Sequence, residues 1–180
     1  MAAMTYPVIS CSALLALAFT VSAWSKVRGR AAFASFSDSM RGMRLLPAEL
    51  TRAAAALIVM AEVLIPPLLL FPGTRPAGHV LAAVLLLALS VGIELGVRRR
   101  STVPCRCFGP SSAPLGRRHL VRNAVLLIAA VVGGTATASG DPQPVHPGGA
   151  AVALTAAGLL AVLVVRFDDI ADLFTAAPRA

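Results

Sequence analysis

Five apolar stretches, each about twenty residues long, constrain this sequence more than any other feature. A helix of roughly 20 apolar residues spans the hydrocarbon core of a bilayer, which is about 30 Å thick. The sequence therefore predicts an all-α, polytopic membrane helical bundle with about five transmembrane helices. The five stretches are Pro7–Trp24, Ala53–Phe71, Gly78–Val97, Leu120–Ala138 and Gly148–Val165.

The composition excludes a water-soluble enzyme. Of the 180 residues, 57% are hydrophobic and 13% are charged, whereas a soluble domain has about 45–50% apolar and about 25% charged residues. A soluble core of this size cannot bury so much apolar surface. The net charge of +8 comes mainly from basic residues in the connections between the apolar stretches. We therefore expect the bilayer, and not a nucleic acid, as the partner of these charges.

The distribution of basic residues predicts an orientation. With five spans, fifteen of the sixteen Lys and Arg residues lie in or next to connections on one face, and only Arg75 lies on the other. Basic connections remain in the cytoplasm, so we expect a multi-pass protein of the cell inner (cytoplasmic) membrane, with its N-terminus outside and its C-terminus cytoplasmic. No basic residue precedes the first span, which predicts that this span is not cleaved. The first long connection is expected to form an amphipathic helix over Ala32–Met43.

An acidic residue lies at the midpoint of the second span. A carboxylate such as that of Glu62 costs several kcal/mol inside a bilayer. We therefore expect Glu62 to be protonated, paired, or next to a wet cavity. A structural hydrogen bond between helices and a functional contact with a proton or substrate are both compatible with this position.

The fourth span begins with the polar pair Arg122 and Asn123. Arg122 either extends to the lipid headgroups or points into the bundle, toward Glu62 or toward Cys105 and Cys107.

Other polar residues near the span ends are expected to have ordinary interfacial roles. Trp24 and Lys26 fit an aromatic and a basic anchor at the end of the first span. Glu94 and Arg98, four residues apart, fit an exposed ion pair. The three histidines lie at the edges of different segments, so we predict that they form no metal site. They are expected to be ordinary interface or loop residues: His79, His119 and His146.

The connection between the third and fourth spans carries the motif Cys105-Arg106-Cys107. Two thiols at this spacing suit disulfide exchange, but they also suit binding of a soft metal ion or a structural role. Arg106 and the neighbouring arginines favour the reactive thiolate form. Because the remaining cysteine, Cys11, makes the count odd, the sequence predicts no disulfide framework.

The order of these motifs resembles the MauE family, the methylamine-utilisation membrane proteins within the DoxX-like group. The resemblance covers roughly residues 7–138 and implies a four-helix DoxX-like core. We accordingly expect a bundle over residues 1–140 and an additional C-terminal span and tail over 141–180. The motifs are Ser22-Ala23-Trp24-Ser25-Lys26, Phe33, Arg44-Leu45-Leu46-Pro47, Ala61-Glu62, Cys105-Arg106-Cys107-Phe108-Gly109 and Arg122-Asn123.

The resemblance also implies a function. In the family's namesake system, this is redox-linked processing, transport or disulfide maturation of the small subunit of methylamine dehydrogenase, together with a thioredoxin-like partner. Cys105 and Cys107 would form the redox pair. The expected protein is therefore a component of a thiol-disulfide oxidoreductase system. The accompanying polar positions would be Lys26, Glu62, Arg106, Arg122 and Asn123.

One position departs from the family motif, because Arg106 stands where the motif usually has glycine. We predict no bound cofactor; participation of a quinone remains open, although no spacing in the sequence indicates a quinone site. Two other functions remain open, namely a non-catalytic membrane assembly or scaffold factor and a small-solute transporter that uses Glu62.

Overall fold

The computed structural model describes residues 5–99, 117–139, 145–167 and 169–170, and within these ranges the regular structure is entirely helical. A short 3₁₀ turn, Pro72–Thr74, connects the third and fourth helices. The six helices are α1 (Thr5–Val27), α2 (Arg30–Gly42), α3 (Ala48–Leu70), α4 (Arg75–Arg98), α5 (Arg117–Ala138) and α6 (Pro147–Val165).

Five of these helices, all except α2, are long and apolar enough to cross a membrane. The predicted fold class is thereby confirmed, and the chain is an integral, multi-pass membrane protein. The helices extend beyond the predicted spans by one to five residues at most ends, because their polar first and last turns fall outside an apolar window. Large apolar side chains on their outer faces are exposed, as lipid-facing positions require.

α1 occupies the centre of the bundle. It packs against α3, α5 and α6, while α4 packs between α3 and α5. Side chains from these helices form one apolar core, which includes Leu15, Phe19, Ile65, Leu86 and Leu126. Different faces of α1 therefore contact different helices. Polar side chains on one face can contact α3, and those on another face can contact α5.

α6 packs against α1 through small side chains. Ala153, Ala157 and Ala161 repeat at four-residue intervals on one face of α6 and are buried. Small residues at this spacing let two membrane helices approach closely. Ser10 of α1 also donates a hydrogen bond of 3.3 Å to the Ala153 carbonyl.

The short helix α2 confirms the predicted amphipathic helix and lies beside α1 and α3. Phe36 of α2 is buried against Ala55 and Val59 of α3. The connection that follows α2 reaches α4, since Arg99 donates a hydrogen bond of 2.6 Å to the carbonyl of Arg44. We call this end of the bundle, where α1 and α4 end and α3 and α5 begin, the α2 end.

Candidate functional site

A buried ion pair joins α1 to α3. Lys26, in the last turn of α1, places its Nζ 2.9 Å from both carboxylate oxygens of Glu62, in the middle of α3. Both side chains are 2% exposed. Of the possibilities that the sequence leaves open for Glu62, the structure shows a carboxylate paired with a cation.

Ser22 completes this group from one turn earlier in α1. Its hydroxyl donates a hydrogen bond of 2.9 Å to Oε1 of Glu62 and accepts one of 2.7 Å from Lys26 Nζ. Residues four apart lie on the same helix face, so the spacing of Ser22 and Lys26 directs both toward α3. Hydrogen bonds of this kind offset part of the cost of burying two charges.

Phe36 of α2 covers the ion pair. The centre of its ring lies 4.9 Å from Lys26 Nζ, which is within the range of a cation–π contact. α1 contributes two side chains, and α2 and α3 one each, to a buried group that we call the Lys26–Glu62 cluster: Ser22, Lys26, Phe36 and Glu62.

The position of Lys26 corrects an expectation from the sequence. An interfacial anchor would keep its ammonium group near the headgroups, but Lys26 is only 1% exposed. Its partner lies 36 residues away along the chain, so no local spacing reveals the pair. Trp24, two residues earlier, is 68% exposed and remains compatible with an interfacial position.

The beginning of α5 contributes a second set of buried polar residues. Arg122 and Asn123 are 3% and 2% exposed, so Arg122 is inside the protein rather than extended to the headgroups. Asn123 Nδ2 lies 3.4 Å from Ser90 Oγ of α4. His119, expected at a segment edge, is buried one turn before Asn123. These residues lie at the α2 end, in the half of the bundle that contains Lys26.

His79 is also buried, although the sequence places it at a segment edge. It belongs to the opposite end of the bundle, where its Nε2 lies 3.2 Å from Ser12 Oγ of α1. The imidazole ring packs against Gly133 of α5, where a β-carbon would overlap the ring, and Gly134 lies beside His79 Cβ. Gly133 and Gly134 are the feature of the sequence that could have indicated this burial, because small residues let membrane helices approach closely.

Several predicted site residues lie outside the described residues. Cys105, Arg106 and Cys107 belong to the segment between Arg99 and Arg117, for which the structure gives no description. The predicted Glu94–Arg98 pair is confirmed, with 2.7 Å between Oε1 and Nε. Among the residues that the structure describes, no three His, Cys, Asp or Glu side chains are grouped as metal ligands.

The fold and its buried polar residues define a class of protein, a multi-pass membrane helical bundle with an ion pair inside it. The family model of the methylamine utilisation protein MauE matches residues 4–136 of the chain. The chain therefore belongs to the MauE family, as its motifs predict. The match includes α1 to α4 and nearly all of α5. No curated protein and no solved structure is detectably similar to this chain.

Proposed function

We propose that this protein acts in redox-linked maturation of an exported partner protein, with Cys105 and Cys107 as the pair that exchanges disulfides with a thioredoxin-like protein. The observation that carries the proposal is the position of the buried polar residues at the α2 end. The segment with both cysteines joins α4 to α5, and both of these helix ends lie at the α2 end. The two helix ends that flank the cysteine segment therefore lie at the same end of the bundle as the buried polar residues.

The charge around the motif supports thiolate chemistry. Arg106 separates the two cysteines, and further arginines stand at the adjoining helix ends, at positions 98, 99, 117 and 118. Neighbouring cations stabilise a thiolate relative to a thiol, and the thiolate is the attacking species in disulfide exchange.

The proposed exchange has two steps. The thiolate of one cysteine attacks a disulfide of the partner, which forms a mixed disulfide and releases one partner thiolate. The thiolate of the second cysteine then attacks the mixed disulfide, which releases the second partner thiolate. The pair is thereby oxidised to a disulfide and the partner is reduced by two electrons, and the reverse sequence oxidises the partner.

The Lys26–Glu62 cluster has a positioning role in this proposal. It fixes the last turn of α1 to α3 in the membrane and holds α2 through Phe36, so it sets the arrangement of helices at the α2 end. Asn123 connects the beginning of α5, the helix that directly follows the cysteine segment, to Ser90 of α4, and Arg122 is buried beside it. None of these residues needs to react for the exchange to proceed.

The proposal includes a location. We place the protein in the cytoplasmic membrane, with the α2 end facing the cytoplasm, because basic connections remain on that side. The small subunit of methylamine dehydrogenase is the exported substrate that the family's namesake system implies.

Trapping of the mixed disulfide tests the proposed exchange. In a Cys11→Ser background, Cys105→Ser and Cys107→Ser are expressed separately, and cells are quenched with acid and alkylated. One of the two variants is expected to accumulate an adduct that reductant releases, and mass spectrometry should identify a thioredoxin-like protein in it. The double variant controls for adducts formed elsewhere.

The trapping experiment also tests the scaffold alternative. A non-catalytic assembly factor predicts no adduct in either single variant and full maturation of the partner in the double variant. If both results are obtained, the redox proposal is wrong.

A further inference from the structure

A large cavity opens at the α2 end, beside the Lys26–Glu62 cluster. Its volume is about 790 Å³, within the range of about 300–1,000 Å³ that is typical of ligand pockets. It is bounded by the end of α1, by one side of α2 along most of its length, and by the beginning of α3. Four of the described residues that line it are basic and one is acidic: Lys26, Arg30, Arg41, Arg52 and Asp38.

The cavity has an excess of positive charge. Glu62 matches the charge of Lys26, and Asp38 lies 3.6 Å from Arg41. Within the described part of the chain, neither Arg30 nor Arg52 makes an ion pair. These two guanidinium groups therefore carry the charge that a ligand would have to match.

The N-terminus of α2 adds to this excess. α2 begins at Arg30, its first turn contains no acidic residue, and the preceding Gly29 has no side chain to cap it. The first N–H groups of a helix lack partners within the helix and carry a partial positive charge, so they favour an anion. Both Gly29 and Arg30 line the cavity.

The depth of the cavity in the membrane indicates the source of the anion. Lys26 and Val27 end α1, and Arg52 lies one turn after the start of α3. α3 crosses the membrane, so Arg52 near its beginning lies at the boundary between hydrocarbon and water, whereas Lys26 lies deeper, beside Glu62 in the middle of α3. Phosphate groups of lipids lie at the depth of Arg52, and basic pockets between membrane helices bind anionic headgroups.

We propose that this cavity binds the phosphate-bearing headgroup of an anionic lipid. Arg30, Arg52 and the N-terminus of α2 contact the phosphate, and the acyl chains remain in the surrounding leaflet. The lipid joins α2 to the beginning of α3, whereas the Lys26–Glu62 cluster joins α2 and α1 to the middle of α3. The inference stands independently of the proposed redox function.

Lipid binding to the purified full-length protein in neutral detergent tests the proposal. Native mass spectrometry measures the dissociation constants of phosphatidylglycerol and phosphatidylcholine with identical short acyl chains. We expect phosphatidylglycerol to bind at least tenfold more tightly. Arg30→Gln and Arg52→Gln should each weaken its binding about fivefold, as expected for one basic residue near a lipid phosphate.

Two further variants make the result specific. Arg28→Gln removes the same charge two residues from Arg30, but Arg28 does not line the cavity, so binding should change less than twofold. Asp38→Asn removes the only acidic group among the described lining residues and should tighten binding about fivefold. A gain of this kind cannot arise from misfolding.

Three results would overturn the proposal. Both lipids contain a phosphate and differ in net charge, so equal binding would show that the net negative charge of the headgroup is not recognised. An equal loss in Arg28→Gln would show a general surface-charge effect. Glycerol 3-phosphate binding as tightly as phosphatidylglycerol, with the same dependence on Arg30 and Arg52, would identify a soluble phosphate as the ligand.

Discussion

Lys26 Nζ lies 2.9 Å from both carboxylate oxygens of Glu62, although the two residues belong to different membrane-spanning helices. With Ser22 bonded to both residues, this pair forms a buried polar connection between α1 and α3. Each charge compensates for the burial of the other, so the two residues should behave as one unit when either is changed.

Removal of one member of the pair should destabilise the protein strongly. Glu62→Gln leaves the Lys26 ammonium buried without a carboxylate, which typically costs about 3–5 kcal/mol. The free energy of unfolding, measured by denaturant titration in detergent micelles, should fall by that amount. Glu94→Gln is the matched control, because it breaks an exposed pair whose loss costs less than about 1 kcal/mol.

The combined replacement should cost less than the two single replacements together. Lys26→Met with Glu62→Met substitutes apolar side chains for both charges, and such exchanges are often neutral or stabilising. A double-mutant cycle on the same unfolding free energies gives the coupling between the residues. Additive effects, or a Glu62→Gln variant as stable as Glu94→Gln, would show that the two residues do not form a buried pair.

The ring of Phe36 should stabilise the Lys26 ammonium. Phe36→Leu keeps an apolar side chain but removes the ring that lies 4.9 Å from Nζ. We expect it to cost about 1 kcal/mol more than Phe33→Leu, a change in the same helix and apolar cluster. Thermal unfolding of the purified variants measures this difference. A Phe36→Leu variant as stable as Phe33→Leu would argue against the cation–π contact.

The contact between His79 and α5 should require glycine at position 133. A β-carbon in Gly133→Ala would overlap the His79 ring and would lie 2.9 Å from Cys11 Cβ. Overpacking of this kind costs about 1–3 kcal/mol. Gly158→Ala is the control, because nothing lies within 4 Å of the added carbon, and alanine favours a helix by up to about 1 kcal/mol.

A second substitution distinguishes the His79 contact from a general effect on α5. His79→Ala makes space for the added methyl group, so it should recover part of the stability that Gly133→Ala loses. Identical losses in the two alanine variants, Gly133→Ala and Gly158→Ala, would contradict the packing of α1, α4 and α5 described above.

The transmembrane architecture follows from local sequence, and the polar site largely does not. Five apolar windows predict five spans because length and hydropathy are sufficient to identify a helix that crosses a bilayer. Glu62 stands out by its cost at mid-membrane. Its pairing with Lys26, however, depends on α1 and α3 being neighbours, and no periodicity within one helix determines which helices are adjacent.

The histidines illustrate the same limit. His79 lies near the beginning of its helix, and a residue at that position is usually close to the membrane surface. The ring is buried against Gly133 on α5, where a β-carbon would overlap it. In membrane bundles, small residues on one span can therefore indicate where a polar side chain of another span is buried.

Thiol labelling of Cys105 and Cys107 tests the central claim of a redox pair most directly. In a Cys11→Ser background, a membrane-impermeant maleimide is applied to intact and permeabilised cells, with and without prior reduction. We predict labelling only after permeabilisation, and more of it after reduction, as a cytoplasmic pair that is partly oxidised requires. Labelling of intact cells would contradict the proposed orientation. Equal labelling with and without reductant would contradict the redox function, because it would show thiols that remain permanently reduced.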